Sequence, residues 1–267
     1  MKTLIKYIIL GIIQGITEPI PVSSSGHIII FKAIFNIKLN DINYEIILNF
    51  ASFLAILLLY KNEIKKYILS FFNYLIKKEE KYTEDYKYVL LIIIGTIPAV
   101  IFGFLFKDKI DLLSDNIKII GLALIITSIF LFIIKDSKGF KQKKDILYKD
   151  AIIIGLFQVF SLLPGISRSA STLFGALLCN LDRKTSVNYS FMLYLPISLG
   201  SFIFSLSDIT NIFSQKSLII PYAVSFIFAL FFTMFSAKKF IDIVKKGKLI
   251  YYVLYCLIVG ILVFIFL

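Results

Sequence analysis

Residues 14–27 set Gln14, Glu18, two prolines, three consecutive serines and the chain's one histidine, His27, between two apolar runs. Pro19 and Pro21 bar a continuous helix through this stretch. A charged side chain at membrane depth costs about 2.5–3.5 kcal/mol on insertion scales, so it marks function by default. Broken backbone at that depth is tolerated only where protein buries it or a wet cavity adjoins it. The stretch therefore reads as the wall of a site.

The membrane premise rests on patterning. Mean hydropathy is +0.88, and successive apolar runs approach the ~20 residues that span a bilayer. A net charge of +12 raises nucleic acid as a partner. The lysines, however, sit in short segments between apolar runs, which is a topology signal. No nucleic acid is expected. Cys179 and Cys256 both lie in apolar surroundings and read as small buried hydrophobes.

In chain order, 4–35 reads as a re-entrant pair of apolar halves around the first break. Spans are predicted at 46–60, 88–106 and 116–134. Residues 151–181 repeat the opening layout, and spans follow at 186–206, 217–235 and 249–267. Within the lysine-rich segment 61–87, Ile64, Tyr67, Ile68, Phe71, Phe72 and Leu75 recur at helical spacing. That spacing predicts an amphipathic helix at the interface. With segments 61–87, 135–150 and 238–248 in the cytoplasm, the six spans alternate without conflict. Residues 36–45, 107–115 and 207–216 then face outward, as do both termini, and the two broken segments enter from opposite faces.

The halves also match locally, Gly11-Ile12-Ile13-Gln14 against Gly155-Leu156-Phe157-Gln158. The expected fold is an all-α integral membrane protein, six transmembrane helices plus two re-entrant helical hairpins. It forms one membrane domain, 1–267, built as an inverted-topology repeat of 1–134 and 151–267. The two breaks should meet near the midplane.

Their chemistries are complementary. The second break, Pro164-Gly165-Ile166-Ser167-Arg168-Ser169-Ala170-Ser171-Thr172, combines a turn, hydroxyls, a helix start and one of only two arginines in the chain. That is an anion or phosphate cradle; the plainer alternative is that Arg168 only neutralises Glu18. In the first break, Glu18 suits a general base or metal ligand, with Gln14 four residues earlier on the same face. Ser23, Ser24 and Ser25 offer nucleophiles or phosphate donors. His27 either relays a proton or serves as a structural hydrogen-bonder. An acid/base and nucleophile set facing a cationic cradle fits phosphoryl transfer on a lipid phosphate or diphosphate.

Gln14-x-x-x-Glu18 with Pro21-Val22-Ser23-Ser24-Ser25-Gly26-His27, and later Pro164-Gly165-x-Ser167-Arg168-Ser169-x-x-Thr172, resemble the two signatures of the undecaprenyl-diphosphatase family, the bacitracin-resistance proteins. The resemblance runs the length of the chain. It implies hydrolysis of undecaprenyl diphosphate to undecaprenyl phosphate and inorganic phosphate in the bacterial plasma membrane, recycling the carrier lipid of peptidoglycan synthesis. It also implies a divalent cation, magnesium or calcium, with Glu18 as its ligand, shared with the substrate phosphates. By motif, Glu18, Ser24, His27 and Arg168 are the catalytic set. Gln14, Ser23, Ser25, Ser167, Ser169 and Thr172 are the substrate-binding set. The partners implied are a polyprenyl diphosphate and membrane lipid; oligomeric state stays open, a homodimer included. Serine and water both stand as nucleophile.

Three positions depart from the family pattern. Gln14 stands where many members carry a second glutamate, Pro19 where a bulky apolar residue is usual, and Ala170 where glycine is usual. The rival class is transport of phosphate or flipping of a lipid phosphate, since inverted repeats with broken helices also build transporters.

Overall fold

The computed structural model describes residues 2–35, 42–113, 116–205 and 218–267. They form eleven α-helices and two short 3₁₀ turns, with no strand among the described residues. The first half runs α1 (Lys2–Thr17), α2 (Ser24–Ile34), α3 (Ile42–Leu59), α4 (Lys61–Lys77), α5 (Thr83–Leu113) and α6 (Ile117–Ile134). The second half runs α7 (Tyr148–Phe160), α8 (Arg168–Leu178), α9 (Arg183–Phe204), α10 (Ile219–Lys245) and α11 (Ile250–Phe266). The connections expected to face outward, 36–45, 107–115 and 207–216, lie wholly or partly outside the described residues.

Helices α5, α6, α9 and α10 are long and apolar enough to cross a bilayer; α3 and α4, bent by 78°, make a fifth if they count as one span. α11 has 17 residues and covers about 25 Å at 1.5 Å per residue. The chain is an all-α, multi-pass membrane protein.

Three boundaries move from their expected places, one being the far end of α5, which continues as helix through the expected connection to Leu113. The run 217–235 continues as helix to Lys245, because Ala237, Phe240 and Val244 carry its buried stripe into the segment expected to be a basic loop. The chain turns only at Gly247, whose φ is +71°. α5 begins inside the charged segment 61–87, where Asp85 is buried and paired with Lys66 at 3.0 Å and Lys143 at 2.7 Å. The rings of Tyr67, Phe71 and Tyr74 pack on Tyr86 and Tyr88 of α5. That docking fixes one flank of α4 and leaves Ile68, Leu69, Phe72 and Ile76 exposed.

Some packing partners, though not α8 on α9 or α8 on α6, survive exchange of the two halves. α1 lies on α10 as α7 lies on α5, α3 on α10 as α9 on α5, and α6 meets α11. The matched glycines explain the closeness of these crossings. A Cβ at Gly11 would sit 2.4 Å from the Ser225 carbonyl oxygen, and one at Gly155 would sit 2.4 Å from that of Gly95. In lipid there is no water to expel between helices, so small residues and hydroxyl bonds hold them. Ser225 Oγ accordingly donates to the Tyr7 carbonyl at 2.7 Å, Ser236 to Gly15 at 2.7 Å and Ser128 to Val253 at 2.9 Å.

Candidate active site

Both breaks are built on one local plan. In each half a serine nine residues beyond the matched glutamine caps the returning helix. Ser23 Oγ accepts from the Gly26 N–H at 3.2 Å, and Ser167 Oγ from the Ala170 N–H at 3.3 Å. Each cap satisfies an amide that the first helical turn leaves without an intrahelical partner. The breaks also touch: Ser169 Oγ donates to the Ile20 carbonyl at 3.0 Å. What differs is the chemistry mounted on the plan. The residue after the cap is Ser24 in one half and Arg168 in the other, and four residues beyond the glutamine stands Glu18 in one and Leu162 in the other.

These unlike residues meet. Arg168 Nη2 donates to Glu18 Oε1 at 3.0 Å. Glu18 Oε2 accepts from Ser24 Oγ and, at 3.2 Å, from Gln14 Nε2. The carboxylate thus holds a hydroxyl on one oxygen and a guanidinium on the other. Both charged side chains are nearly buried, at 10% and 13% exposure, so the pair is weakly screened. Arg168 also lies face-on to the Tyr194 ring, 3.9 Å from its centroid, and its Nη1 is buried with no hydrogen-bond partner. A guanidinium that served only to neutralise Glu18 would not need to bury a second donor unpaired, at a cost of about 1–3 kcal/mol or more for a charged group.

The array lines a cavity of about 220 Å³ with Gln14, Glu18, Ser23, Ser24, Ser25, Ser167 and Arg168 on its wall. Ser169 is spent on Ile20. Two more expected site residues turn elsewhere. Thr172 is fully buried and bonds back to the Arg168 carbonyl at 3.0 Å and to Ser190. His27 lies with Nδ1 2.7 Å from the Ser23 carbonyl and Nε2 2.7 Å from the Tyr255 hydroxyl, the two rings nearly parallel. A carbonyl only accepts, so Nδ1 carries the proton and Nε2 accepts from tyrosine. Both nitrogens are then occupied, and neither is bonded to Ser24 or Glu18. Ser23, the residue that His27 holds, has φ 68° and ψ 99°, a conformation serine adopts only at a cost on the order of 1–3 kcal/mol when its surroundings impose it.

A family model described as bacitracin resistance protein BacA matches residues 7–262. The chain belongs to the BacA family. Similarity to individual members runs nearly end to end. An undecaprenyl-diphosphatase of Oceanobacillus iheyensis is 41% identical over 267 residues, 99% of this chain and 97% of that protein. Undecaprenyl-diphosphatase 1 of Bacillus cereus is 41% identical over 263 residues, 98% of this chain and 97% of its own. The counterpart from Halalkalibacterium halodurans is 38% identical over 260 residues.

In this BacA-family chain the cavity also takes in residues that the motifs do not contain. Asn49 Oδ1 accepts from Gln14 Nε2 at 2.8 Å, which orients the glutamine amide toward Glu18. Tyr194 supplies the floor under Arg168 and donates to the Asn49 carbonyl at 3.2 Å. Glu45, Ser161, Ser198 and Ser201 complete the polar lining. Asn49 carried a readable signal, being an amide inside the apolar run 46–60. Tyr194 carried none beyond its nearness to Pro196.

Proposed function

We propose that this protein is a membrane-embedded phosphatase that hydrolyses undecaprenyl diphosphate to undecaprenyl phosphate and inorganic phosphate, so recycling the carrier lipid of peptidoglycan synthesis and conferring bacitracin resistance. Family membership and the names of its relatives support the reaction. The observation that carries it is the row Ser24–Glu18–Arg168 beside a polar cavity, with one guanidinium nitrogen left over.

Arg168 binds a terminal phosphoryl oxygen through Nη1–H, and the start of α8 adds its positive end. The phosphate charge competes with Glu18 for the guanidinium. Glu18 takes the proton of Ser24, whose Oγ attacks the terminal phosphorus. The bond from that phosphorus to the bridging oxygen breaks, and the departing lipid monophosphate receives the proton that Glu18 had taken. Water, deprotonated by Glu18, then adds to the phosphoserine; the P–Oγ bond breaks, Glu18 returns the proton to Ser24 Oγ, and inorganic phosphate leaves. Positioning and charge supply most of such catalysis. His27 acts outside this sequence, as a brace.

A divalent cation belongs to the same proposal. Among the described residues no three His, Cys, Asp or Glu side chains form a metal cluster, but Glu18, Gln14, Asn49 and Glu45, the last paired with Lys32, line the cavity. Hard oxygen donors with few carboxylates suit a magnesium or calcium ion shared with substrate phosphates. Glu18 would hold it, and when bound it would neutralise part of the diphosphate charge. The lysine-rich segments 61–87, 135–150 and 238–248 support a cytoplasmic placement of those ends, with both termini outside. Glu45 and Phe202, near the ends of α3 and α9, then set the cavity toward the outer face.

Purified protein in detergent, where no compartments exist, should release inorganic phosphate from a long-chain prenyl diphosphate. Rapid quenching with terminally labelled substrate should trap label on Ser24. Absence of release in detergent alongside robust phosphate or lipid flux in liposomes would replace the enzyme reading with transport. Turnover without labelled enzyme would move the attack from Ser24 to water.

A further inference from the structure

The first break is held from outside the site. α11 contributes two consecutive residues to it: the Cys256 thiol lies 3.6 Å from the Pro21 carbonyl, and the Tyr255 hydroxyl lies 2.7 Å from His27 Nε2. His27 is buried, at 4% exposure, whereas Tyr255 remains 43% exposed. From Tyr255 the bonds run through the imidazole to the Ser23 carbonyl at 2.7 Å. Ser23 is the residue with positive φ, and its side chain caps α2. The next residue is Ser24, whose hydroxyl meets Glu18. A serine at φ 68° relaxes toward negative φ unless something holds its peptide, and relaxation would swing Ser24 off the carboxylate.

We propose that Tyr255 is a positioning residue for the reaction, acting through His27 to hold the Ser23 turn and so to aim Ser24 at Glu18. The inference rests on the phosphatase reading above. It assigns to α11, which contributes no residue to the cavity wall, the outer anchor of the nucleophile. The bond also fixes the imidazole tautomer: Tyr255 O–H donates to Nε2, and Nδ1–H donates to the Ser23 carbonyl. His27 is a brace whose setting depends on a phenol facing the surroundings of the bundle.

The chain has one histidine, so ¹⁵N-histidine labelling of the whole protein in detergent gives one ring to observe. The expected spectrum has Nδ1 protonated and Nε2 bare in the wild type, with the Nε2 resonance shifted in Tyr255→Phe. The same variant should lose about five- to tenfold in kcat at unchanged KM, the scale of one neutral hydrogen bond. Tyr251→Phe, an exposed tyrosine one turn earlier on α11, should keep wild-type kcat. A wild-type ring protonated on Nε2 overturns the proposal, and so does a Tyr255→Phe kcat within twofold of wild type. Should Tyr255→Phe fail to fold, the wild-type spectrum decides alone. Wild-type protein that releases no phosphate defeats the phosphatase reading, while the spectrum still reports on the brace.

Discussion

Arg168→Lys keeps the charge of the cradle and removes its geometry, which makes it the sharpest probe of the site. The guanidinium does three things at once. It bonds Glu18 through Nη2 at 3.0 Å, lies 3.9 Å over the Tyr194 ring, and keeps Nη1 in reserve. Lysine offers one nitrogen on a flexible stem and cannot grip Glu18 and a phosphate from fixed directions while stacked on a ring. One charge-assisted hydrogen bond is worth about 1.5–3 kcal/mol, and the cation–π contact about 0.5–2 kcal/mol. Their sum, about 2–5 kcal/mol, corresponds to a loss of roughly 30- to 5,000-fold in kcat/KM. Tyr194→Leu, which removes the floor and leaves the fork, should fall below that range, at roughly 2- to 30-fold. The assay is steady-state phosphate release in detergent, with the unfolding midpoint of each variant checked in parallel. A folded Arg168→Lys protein within fivefold of wild type would refute the argument that the fork, rather than the charge, binds the diphosphate.

Two further perturbations probe the frame around the site. Gly155→Ala puts a methyl 2.4 Å from the Gly95 carbonyl oxygen, whereas a Cβ at Gly200 meets nothing within 4 Å. Gly155→Ala should lower the unfolding midpoint in detergent by about 1–3 kcal/mol of overpacking or more, and Gly200→Ala should hold or raise it by about 0.5–1 kcal/mol of helix propensity; equal midpoints would show that α7 and α5 do not cross so closely. The chain has no tryptophan, so Phe72→Trp creates a single reporter on the exposed apolar flank of α4. In bilayers its emission should be blue-shifted and quenched by lipids brominated on the upper acyl chain. A red-shifted, unquenched signal would place that flank in water.

The sequence was most legible where polar residues interrupt apolar runs. Prolines and serines at 18–25 and 161–169 marked both breaks, and the apolar periodicity located the helices between them. Glu18 and Arg168 could be paired because a lone carboxylate and a lone arginine at such depth have few other partners. The register of individual side chains was less legible. Thr172 lies four residues after Arg168, nominally on the same face, yet its hydroxyl turns back on the Arg168 carbonyl, a local bond open to any helical threonine. His27 sits beside the serines in sequence, but its partner is 228 residues away on α11, in a run that reads only as a span. Tyr194 was missed for the same reason, and Asn49 was missed although its amide interrupts an apolar run. Their role comes from α3 and α9 converging on the cavity, and no motif spacing encodes that convergence.

The Glu18–Arg168 contact joins residues 150 positions apart, and this sets a condition on how the protein is made. While the ribosome is still adding α3 to α7, Glu18 already belongs to a segment committed to the membrane, and its counter-ion has not yet been synthesised. An unpaired carboxylate is costly at such depth. The first hairpin can therefore complete its ion pair only after the second one arrives, so the reactive centre cannot close until the second half of the chain is under way.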